Sequence, residues 1–394
     1  MDRLIPAPLC LAAGAGAGTA FGFGPQALHV AIIVPFVMAP GRGAVSVATA
    51  VAATSAATLP AGLAAFDYTD LIATSLIAWA VPAGVTGLAF GAALAAPRAW
   101  RPLAVGTAIL AVSLPPLGSI SLVSPLPIAG LLYPGSGLFG IALVVVLLAA
   151  LSVRRSDLAT TVSVLCLVTA AALIAHAVSE PAQGRAQVVG VDTHRGQPDA
   201  ETSALLSGVW RREERRASEL LGASTVLWPE SVYGEWTELT GAMLTLTATT
   251  VIGGARHYVA ENAYVNTLVD GKSGEVLYAQ RSPVPLPIDG RARAVSVVSL
   301  EEPGLVHHDD LHALLCIEIA HPWLAISTFR AAALDKRRSG AGIVSAEPVM
   351  WAANLGWSTR PGLERRMRQT ASQWSRLFDV PLVTAINRAE VPGA

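Results

Sequence analysis

Charged residues are scarce in this chain, at 14% of its 394 residues, whereas 53% are hydrophobic and the mean hydropathy is +0.52. That composition excludes a single ordinary soluble domain and indicates insertion into a membrane. The shortage lies in residues 1–178, which hold six Lys/Arg and four Asp/Glu, so 21 and 24 remain for residues 179–394. The formal net charge of −1 gives no electrostatic reason to expect a nucleic-acid partner.

Cysteine is also rare. Cys10 and Cys166 lie in apolar stretches and are interpreted as packing residues, which leaves Cys316 as the one cysteine outside the apolar half. A disulfide within the second half is therefore excluded.

One pattern suggests a dinucleotide cofactor and another suggests a metal ion, but the surroundings of each favour a different interpretation. The GxGxxG at 135–140 lies between apolar segments with no βαβ unit around it, so no dinucleotide is predicted. His307-His308-Asp309-Asp310 with His312 could ligate a metal, but their spacing in one short loop favours a solvated acidic loop. No cofactor and no metal site are predicted.

The first half is divided into apolar segments, most of them long enough to cross a bilayer, which requires about 20 residues. They run at about 5–24, 27–40, 43–66, 71–96, 102–122, 135–153 and 158–178. Every second boundary between these segments carries arginine: Arg3, Arg42, Arg98, Arg101, Arg154 and Arg155. The loops between those boundaries lack arginine, and one of them contains Asp67 and Asp70.

The positive-inside rule then predicts about seven crossings of a bacterial inner membrane, with the N-terminus cytoplasmic and the chain after residue 178 periplasmic. The pair 27–40 and 43–66 could instead form a re-entrant hairpin, which would place the second half in the cytoplasm. No cleavable signal peptide is expected.

A polar linker at 179–186 precedes a second domain at 187–394. Strands are predicted at 187–191, 225–228, about 250–259, 264–270 and 276–278, with helices at about 200–220 and 361–378 and a last strand at 382–387. Strands mixed with helices in this way indicate layered α/β packing.

Cys316 is the candidate nucleophile. It follows Leu314-Leu315, which have strand character, so it is expected at a strand-to-turn corner where a thiolate can be held beside a carboxylate. Glu230 is the candidate carboxylate, because Trp228-Pro229-Glu230 ends a strand at a proline. The alternative interpretations are a buried core thiol and a surface glutamate in a turn.

Three motifs together resemble the carbon-nitrogen hydrolase (nitrilase) superfamily. They are the Trp-Pro-Glu at 228–230, a Tyr264-Val265-Asn266 strand leading to Tyr278 and Val284-Pro285, and Cys316-Ile317-Glu318 86 residues after the glutamate. Within that superfamily, the multi-span first half is most similar to apolipoprotein N-acyltransferase. A narrower resemblance, to the TraB-type conjugal-transfer membrane proteins of plasmids, is carried by Pro115-Pro116-Leu117-Gly118, Pro125, Gly130 and Tyr133-Pro134-Gly135.

The resemblance implies an αββα sandwich in which Cys316 is the nucleophile, Glu230 the general base and Glu318 the acidic residue that follows the cysteine. It implies a thioester route on an acyl ester or amide, and a pocket lined by Trp228, Asn354 and Trp357.

Two positions depart from the superfamily's pattern. Gln280 occupies the lysine position that would stabilise the oxyanion, with Arg281 beside it, and Ile288 replaces the acyltransferase's second glutamate, with Asp289 one residue late. A final membrane span is not expected after residue 178.

Three classes of function follow. The first is a membrane-anchored hydrolase or acyltransferase acting on membrane lipid, a lipoprotein or another envelope protein. The second is a scaffold of the same fold that contacts the conjugation machinery, which the loss of the lysine favours. A transporter is disfavoured because the apolar segments carry almost no ionisable residues.

Overall fold

The computed structural model describes residues 5–153, 158–178, 188–196, 213, 216–230, 232–234, 249–260, 263–283, 293–294, 311–338, 347–358 and 361–389. A helical N-terminal region is followed by a region built on two β-sheets. The linker predicted at 179–186 and most of the helix predicted at 200–220 lie outside the described residues.

The helices of the N-terminal region are α1 (Ala7–Phe23), α2 (Val34–Met38), α3 (Ala44–Thr69), α4 (Ile72–Ala95), α5 (Arg101–Ala111), α6 (Ala129–Leu132), α7 (Leu138–Val153) and α8 (Leu158–Val178). Within the described residues, two helical stretches are long and apolar enough to cross a membrane: Ala44–Asp67 and Ile72–Ala95. The shorter apolar helices include α1, α5 and α7.

Large apolar side chains point outward from these helices. Ile72 is 68% exposed and Leu167 is 71% exposed, and Leu88, Leu103 and Val146 are exposed in the same way. Such an apolar surface is rare on a soluble protein and is the surface that lipid covers. The helical region therefore indicates membrane association, while the seven crossings and their orientation stay predictions.

The helical segments differ from the prediction at two places. The segment predicted at 102–122 is helical only to Ala111, because Pro115 and Pro116 cannot donate a backbone hydrogen bond and exclude helical geometry before them. The segment predicted at 27–40 begins as a 3₁₀ helix, Gln26–Ile33, and continues into α2.

The contact between α1 and α3 depends on small residues. A Cβ atom added at Gly18 would lie 1.9 Å from the carbonyl oxygen of Ala53, and one at Gly14 would lie 2.6 Å from that of Thr49. The four-residue glycine spacing of α1 thus lets two helix backbones approach closely, as small residues do in membrane helix pairs.

The sheet region contains nine strands and two long helices among the described residues. They are β1 (Val188–Gly190), β2 (Thr225–Leu227), β3 (Thr250–Ala260), β4 (Ala263–Asp270), β5 (Val276–Ala279), β6 (Arg293–Ala294), β7 (Ala313–Leu315), α9 (Pro322–Arg338), β8 (Val349–Leu355), α10 (Pro361–Phe378) and β9 (Leu382–Arg388). The predicted strands match β1 to β5 and β9, and the helix predicted at 361–378 matches α10.

The strands form two sheets. The first has the order β1-β2-β3-β4-β5, with β6 beside β4; its β1/β2 and β2/β3 pairs are parallel, and its β3/β4 and β4/β5 pairs are antiparallel. The second is the parallel sheet β7-β8-β9. The carboxyl ends of β2 and β7, where Glu230 and Cys316 follow, are both ends of parallel strands.

Side-chain alternation assigns the faces of the sheets. Leu227 and Leu315 belong to a core shared by the two sheets, so these faces meet each other. Trp228 belongs to a separate core on the far side of the first sheet. Leu314 and Trp351 point the other way from Leu315 and pack with α9 and α10.

Helix α10 joins the second sheet to the helical region. The Arg366 guanidinium donates to the carbonyl oxygens of Ala57, at 2.7 Å, and Leu122. Both carbonyls belong to the helical region, so the Arg366 guanidinium anchors the sheet region to the helices.

Candidate active site

Cys316 occupies a strained corner directly after β7. Its φ of +47° lies in the left-handed region, which costs a residue other than glycine about 1–2 kcal/mol. The Trp351 indole Nε1–H donates to the Cys316 carbonyl oxygen at 2.9 Å and helps to hold that conformation. The chain then turns into a 3₁₀ helix, Cys316–Ala320, so the thiol leaves the line of the strand.

Glu230 lies within hydrogen-bond reach of the Cys316 thiol. Its side chain is almost fully buried, and its Oε2 also accepts a hydrogen bond from the Asn354 backbone N–H at 3.1 Å. Burial raises the pKa of the Glu230 carboxyl to about 7, against the hydrogen bonds from Cys316 and Asn354.

Burial likewise raises the pKa of the Cys316 thiol, and the neighbouring Glu230 carboxylate raises it further. The resting pair is therefore a neutral thiol beside a carboxyl group whose pKa is near neutrality. In that arrangement one proton can move from sulfur to oxygen.

Glu318 is fully buried and accepts hydrogen bonds from four donors. They are the Tyr278 hydroxyl at 2.5 Å, the Arg281 backbone N–H at 2.6 Å, the Leu315 backbone N–H at 2.8 Å and the Ser282 backbone N–H at 3.0 Å. This carboxylate ties the chain after β5 to the turn that carries Cys316. Because these four hydrogen bonds occupy the Glu318 carboxylate, it is suited to positioning the turn and poorly placed to exchange protons.

Gln280 is buried against the same turn. Asn266 Nδ2 donates to its Oε1 at 2.9 Å, and its own Nε2 donates to the Leu315 carbonyl oxygen at 3.5 Å. The amide is therefore oriented with its N–H groups toward the Cys316 turn. The Arg281 side chain points elsewhere, donating to the Tyr278 hydroxyl at 3.1 Å and to Thr328 Oγ1 at 3.1 Å.

The three residues predicted to line the pocket divide into two groups. The backbone N–H of Asn354 faces both Glu230 and the Cys316 sulfur, and its carbonyl oxygen accepts from Trp357 Nε1 at 2.6 Å. Trp357 lines the cavity that reaches Cys316. Trp228 lies in the core on the far side of the first sheet, with its Nε1 donating to Ser218 Oγ at 3.2 Å, a position that favours a packing role.

A cavity of about 250 Å³ opens beside Cys316, and its wall is almost entirely apolar. Helices α3 and α4 form one side of it, and the Cys316 turn, the end of β8 and α10 form the other. Side chains from α3 and α4 include Ala61, Ala65, Ile77, Val81 and Pro82, and those opposite include Cys316, Ile317, His321, Leu355, Trp357 and Met367. The thiol therefore faces a space that the helical region helps to enclose.

Three features of the site lay outside the prediction. Asn266 and Tyr278 belong to the motifs quoted above, but the contact of Asn266 with Gln280 and that of Tyr278 with Glu318 were not predicted. His321 also lines the cavity, and its Nδ1 lies 3.0 Å from the Gly118 carbonyl oxygen. The signal that could have identified His321 is a histidine-proline pair directly after the apolar run that follows the cysteine.

Other predicted positions lie outside the described residues. They are residues 307–310 of the histidine-aspartate loop, and Ile288 with Asp289. In the part of the chain that is described, no group of three or more His, Cys, Asp or Glu side chains is arranged to hold a metal ion.

Comparison with known proteins gives one distant similarity and no family. No protein-family profile matches the chain. The sequence is 25% identical over 345 residues to a probable conjugal transfer protein TraB of Sinorhizobium fredii (strain NBRC 101917 / NGR234), across 84% of each chain.

Proposed function

We propose that this chain is a membrane-anchored, nitrilase-like acyl-transfer enzyme in which Cys316 is the nucleophile and Glu230 the general base. The observation that carries the proposal is the contact between the buried Glu230 carboxyl and the Cys316 thiol at the wall of an apolar cavity. A buried thiol with a merely structural role needs neither a carboxyl partner nor an opening to a cavity.

The proposed organisation of the chain has three parts. Residues 1–178 form the membrane domain, 179–186 the linker and 187–394 an αββα domain of the carbon-nitrogen hydrolase type. Two sheets packed face to face, with α9 and α10 outside the second, support that architecture. The αββα domain lies at the outer, periplasmic face of the inner membrane.

The first half-reaction moves one proton and exchanges one acyl bond. Glu230 Oε takes the proton from Cys316 Sγ while the sulfur attacks the carbonyl carbon of an acyl ester or amide. The bond from that carbon to the leaving oxygen or nitrogen breaks, and the Glu230 proton passes to the leaving group. A Cys316 thioester remains, and transfer to an acceptor amine, hydroxyl or water reverses these steps.

Backbone amides and one side-chain amide are the donors near the reacting atoms. The N–H groups of Asn354 and Ile317 face the Cys316 sulfur and favour its thiolate. The N–H groups of Gln280 point toward the same turn and are suited to a developing oxyanion. A neutral amide stabilises that charge less than the ammonium of the superfamily's lysine, so slow turnover is expected.

The cavity favours a substrate with an acyl chain. Its wall is formed mainly by aliphatic side chains of α3, α4 and α10 together with Trp357, and α3 and α4 belong to the membrane region. Burying one methylene group contributes about 0.8 kcal/mol, so a lipid acyl chain gains binding energy there that a polar amide does not.

A scaffold that serves conjugation without catalysis is the second candidate. The observation that favours it is Gln280 at the position of the superfamily's catalytic lysine. The similarity to a probable conjugal transfer protein fits either candidate, and we assign the chain a role beside the conjugation machinery in both.

Mass analysis of the intact protein purified in native lipid tests the enzyme. Wild type is expected to carry an adduct of acyl-chain mass that hydroxylamine removes and that Cys316→Ala lacks. Cys166→Ala is the matched control, because Cys166 is an exposed thiol on α8 that does not line the cavity, and its loss should leave the adduct unchanged. Wild type without an adduct, and with full conjugation activity in Cys316→Ala, would establish the scaffold instead.

A further inference from the structure

His321 lies at the end of the 3₁₀ turn that Cys316 begins, and it lines the same cavity. Its side chain is 2% exposed, and its ring Nδ1 lies 3.0 Å from the Gly118 carbonyl oxygen. Because a carbonyl oxygen can only accept, Nδ1 must carry the proton. The hydrogen bond to Gly118 thus fixes the tautomer, and Nε2 is left with a lone pair.

The Nε2 atom has no hydrogen-bond partner among the residues that the structure describes. It is also not one of their fully buried, unpaired polar atoms, so part of its surface is accessible. Since the side chain is otherwise enclosed, Nε2 faces the cavity. Burial also lowers the pKa of His321 to about 4, so the ring is neutral at physiological pH and the lone pair remains available.

The other polar side chains on the cavity wall differ from His321 in their hydrogen-bonding capacity. The Arg366 guanidinium only donates, and the Ser119 and Thr370 hydroxyls can both donate and accept. Among the lining side chains described, His321 offers an atom that can only accept. An acceptor without a donor in an apolar cavity is unfavourable, and a ligand N–H or O–H removes that penalty.

We propose that His321 Nε2 accepts a hydrogen bond from the N–H or O–H of the acyl acceptor and thereby selects a neutral amine or hydroxyl to attack the Cys316 thioester. This inference rests on the proposed function. Cys316 and His321 line the same cavity, and His321 follows directly after the 3₁₀ helix that begins at Cys316, so a small group bound in the cavity can lie beside both side chains.

Two conservative variants separate this role from a structural one. In His321→Asn, the amide Nδ2 can replace ring Nδ1 and keep the bond to Gly118, but the cavity loses its acceptor. In His321→Gln, the longer side chain can present an oxygen near the position of Nε2 while the bond to Gly118 is lost. A purely structural histidine predicts that the Gln variant is the impaired one, and the proposal predicts the opposite.

The measurement is the decay of the Cys316 adduct, by intact mass, after addition of glycine amide, glycerol or buffer alone. The adduct should form normally in both variants, which also shows that each is folded. In His321→Asn, decay in one of the three arms should slow about three- to tenfold, the effect of one neutral hydrogen bond, while His321→Gln stays near wild type. The slowed arm identifies an amine, a hydroxyl or water as the acceptor.

Three results overturn the inference. They are unchanged decay of His321→Asn in all arms, slower decay in His321→Gln than in His321→Asn, and loss of adduct formation in both variants. An absent adduct in wild type is a different result, because it removes the Cys316 nucleophile itself and the role of His321 with it.

Discussion

The buried Glu230 carboxyl should make the protein less stable as the pH rises, and replacing it by Gln should remove that effect. The pKa of this carboxyl is about 7 in the folded chain, against an ordinary value of 4.5. Between those values the folded chain holds a proton that the unfolded chain has released. Stability therefore falls as the pH rises from 4.5 through 7, which is opposite in sign to the usual salt-bridged carboxylate.

The size of the effect follows from the difference of about 2.5 pH units. At 1.36 kcal/mol per unit, ionised Glu230 lowers the free energy of unfolding by about 3 kcal/mol above pH 7. Glutamine resembles the protonated carboxyl in shape and cannot ionise. Glu230→Gln should therefore lie within about 1 kcal/mol of wild type near pH 5 and exceed its stability by about 3 kcal/mol at pH 8.5.

Thermal unfolding in detergent across pH 5 to 8.5 measures this difference. For a cooperative unit of about 200 residues, 3 kcal/mol corresponds to a Tm difference of about 6–12 °C. Glu364→Gln is a control of opposite sign. Partial burial opposes ionisation of Glu364, but hydrogen bonds from Arg368 and Arg388 prevail and lower its pKa below 4.5. This variant should therefore be less stable than wild type throughout pH 5 to 8.5, and the difference should shrink only below pH 4.5, where wild type loses the stabilisation.

Parallel Tm curves for wild type and Glu230→Gln would refute the reasoning, because they would mean that Glu230 ionises in the folded chain as it does in water. The proposed base would then have no raised pKa, and its partnership with Cys316 would lose its physical basis.

Three further predictions concern the backbone and the packing around it. Cys316 has a left-handed conformation that glycine adopts freely, so the free energy of unfolding of Cys316→Gly should exceed that of Cys316→Ala by up to about 1 kcal/mol, seen as a higher Tm. Equal Tm values would contradict that conformation. Trp351→Phe removes the indole donor to the Cys316 carbonyl and should lower the free energy of unfolding by about 1–2 kcal/mol in denaturant titration. Gly18→Ala forces a methyl group to within 1.9 Å of the Ala53 carbonyl oxygen and should destabilise the α1–α3 contact by about 1–3 kcal/mol in thermal unfolding, whereas Gly16→Ala, with open space around it, should not.

The sequence predicts where Cys316 and Glu230 lie because local signals determine both positions. Strand character before Cys316 and a proline before Glu230 each imply a chain that stops pairing, and the structure has β7 and β2 ending there. The helix expected at 361–378, from the resemblance to the superfamily's closing helix, matches α10 to the residue. What the sequence could not supply is the face on which a side chain lies.

Trp228 illustrates that limit. Its motif suggested the pocket, but Leu227 faces the second sheet, and the alternation of a strand then directs Trp228 to the opposite side. The segment at 102–122 is a different case, because Pro115 and Pro116 stand in the sequence and its apolar composition was given more weight than they were. The cavity is a third, since it depends on how α10 docks against α3.

In the proposed enzyme, Gln280 stands where the superfamily has a lysine, and this bears directly on how Cys316 reacts. An ammonium near the sulfur would favour the thiolate, whereas a neutral amide leaves burial and the Glu230 carboxylate to raise the thiol pKa. The resting cysteine is therefore protonated, and in the proposed mechanism Glu230 takes the proton as the carbon–sulfur bond forms.

Such a thiol reacts slowly with a general alkylating reagent, which neither occupies the acyl cavity nor aligns a carbonyl with Glu230. Slow alkylation of Cys316 is accordingly expected of the proposed enzyme as well as of a scaffold, so it does not separate them. The decisive observation is an acyl adduct acquired from lipid, because only a ligand that fills the cavity brings the carbonyl, the thiol and the carboxylate together.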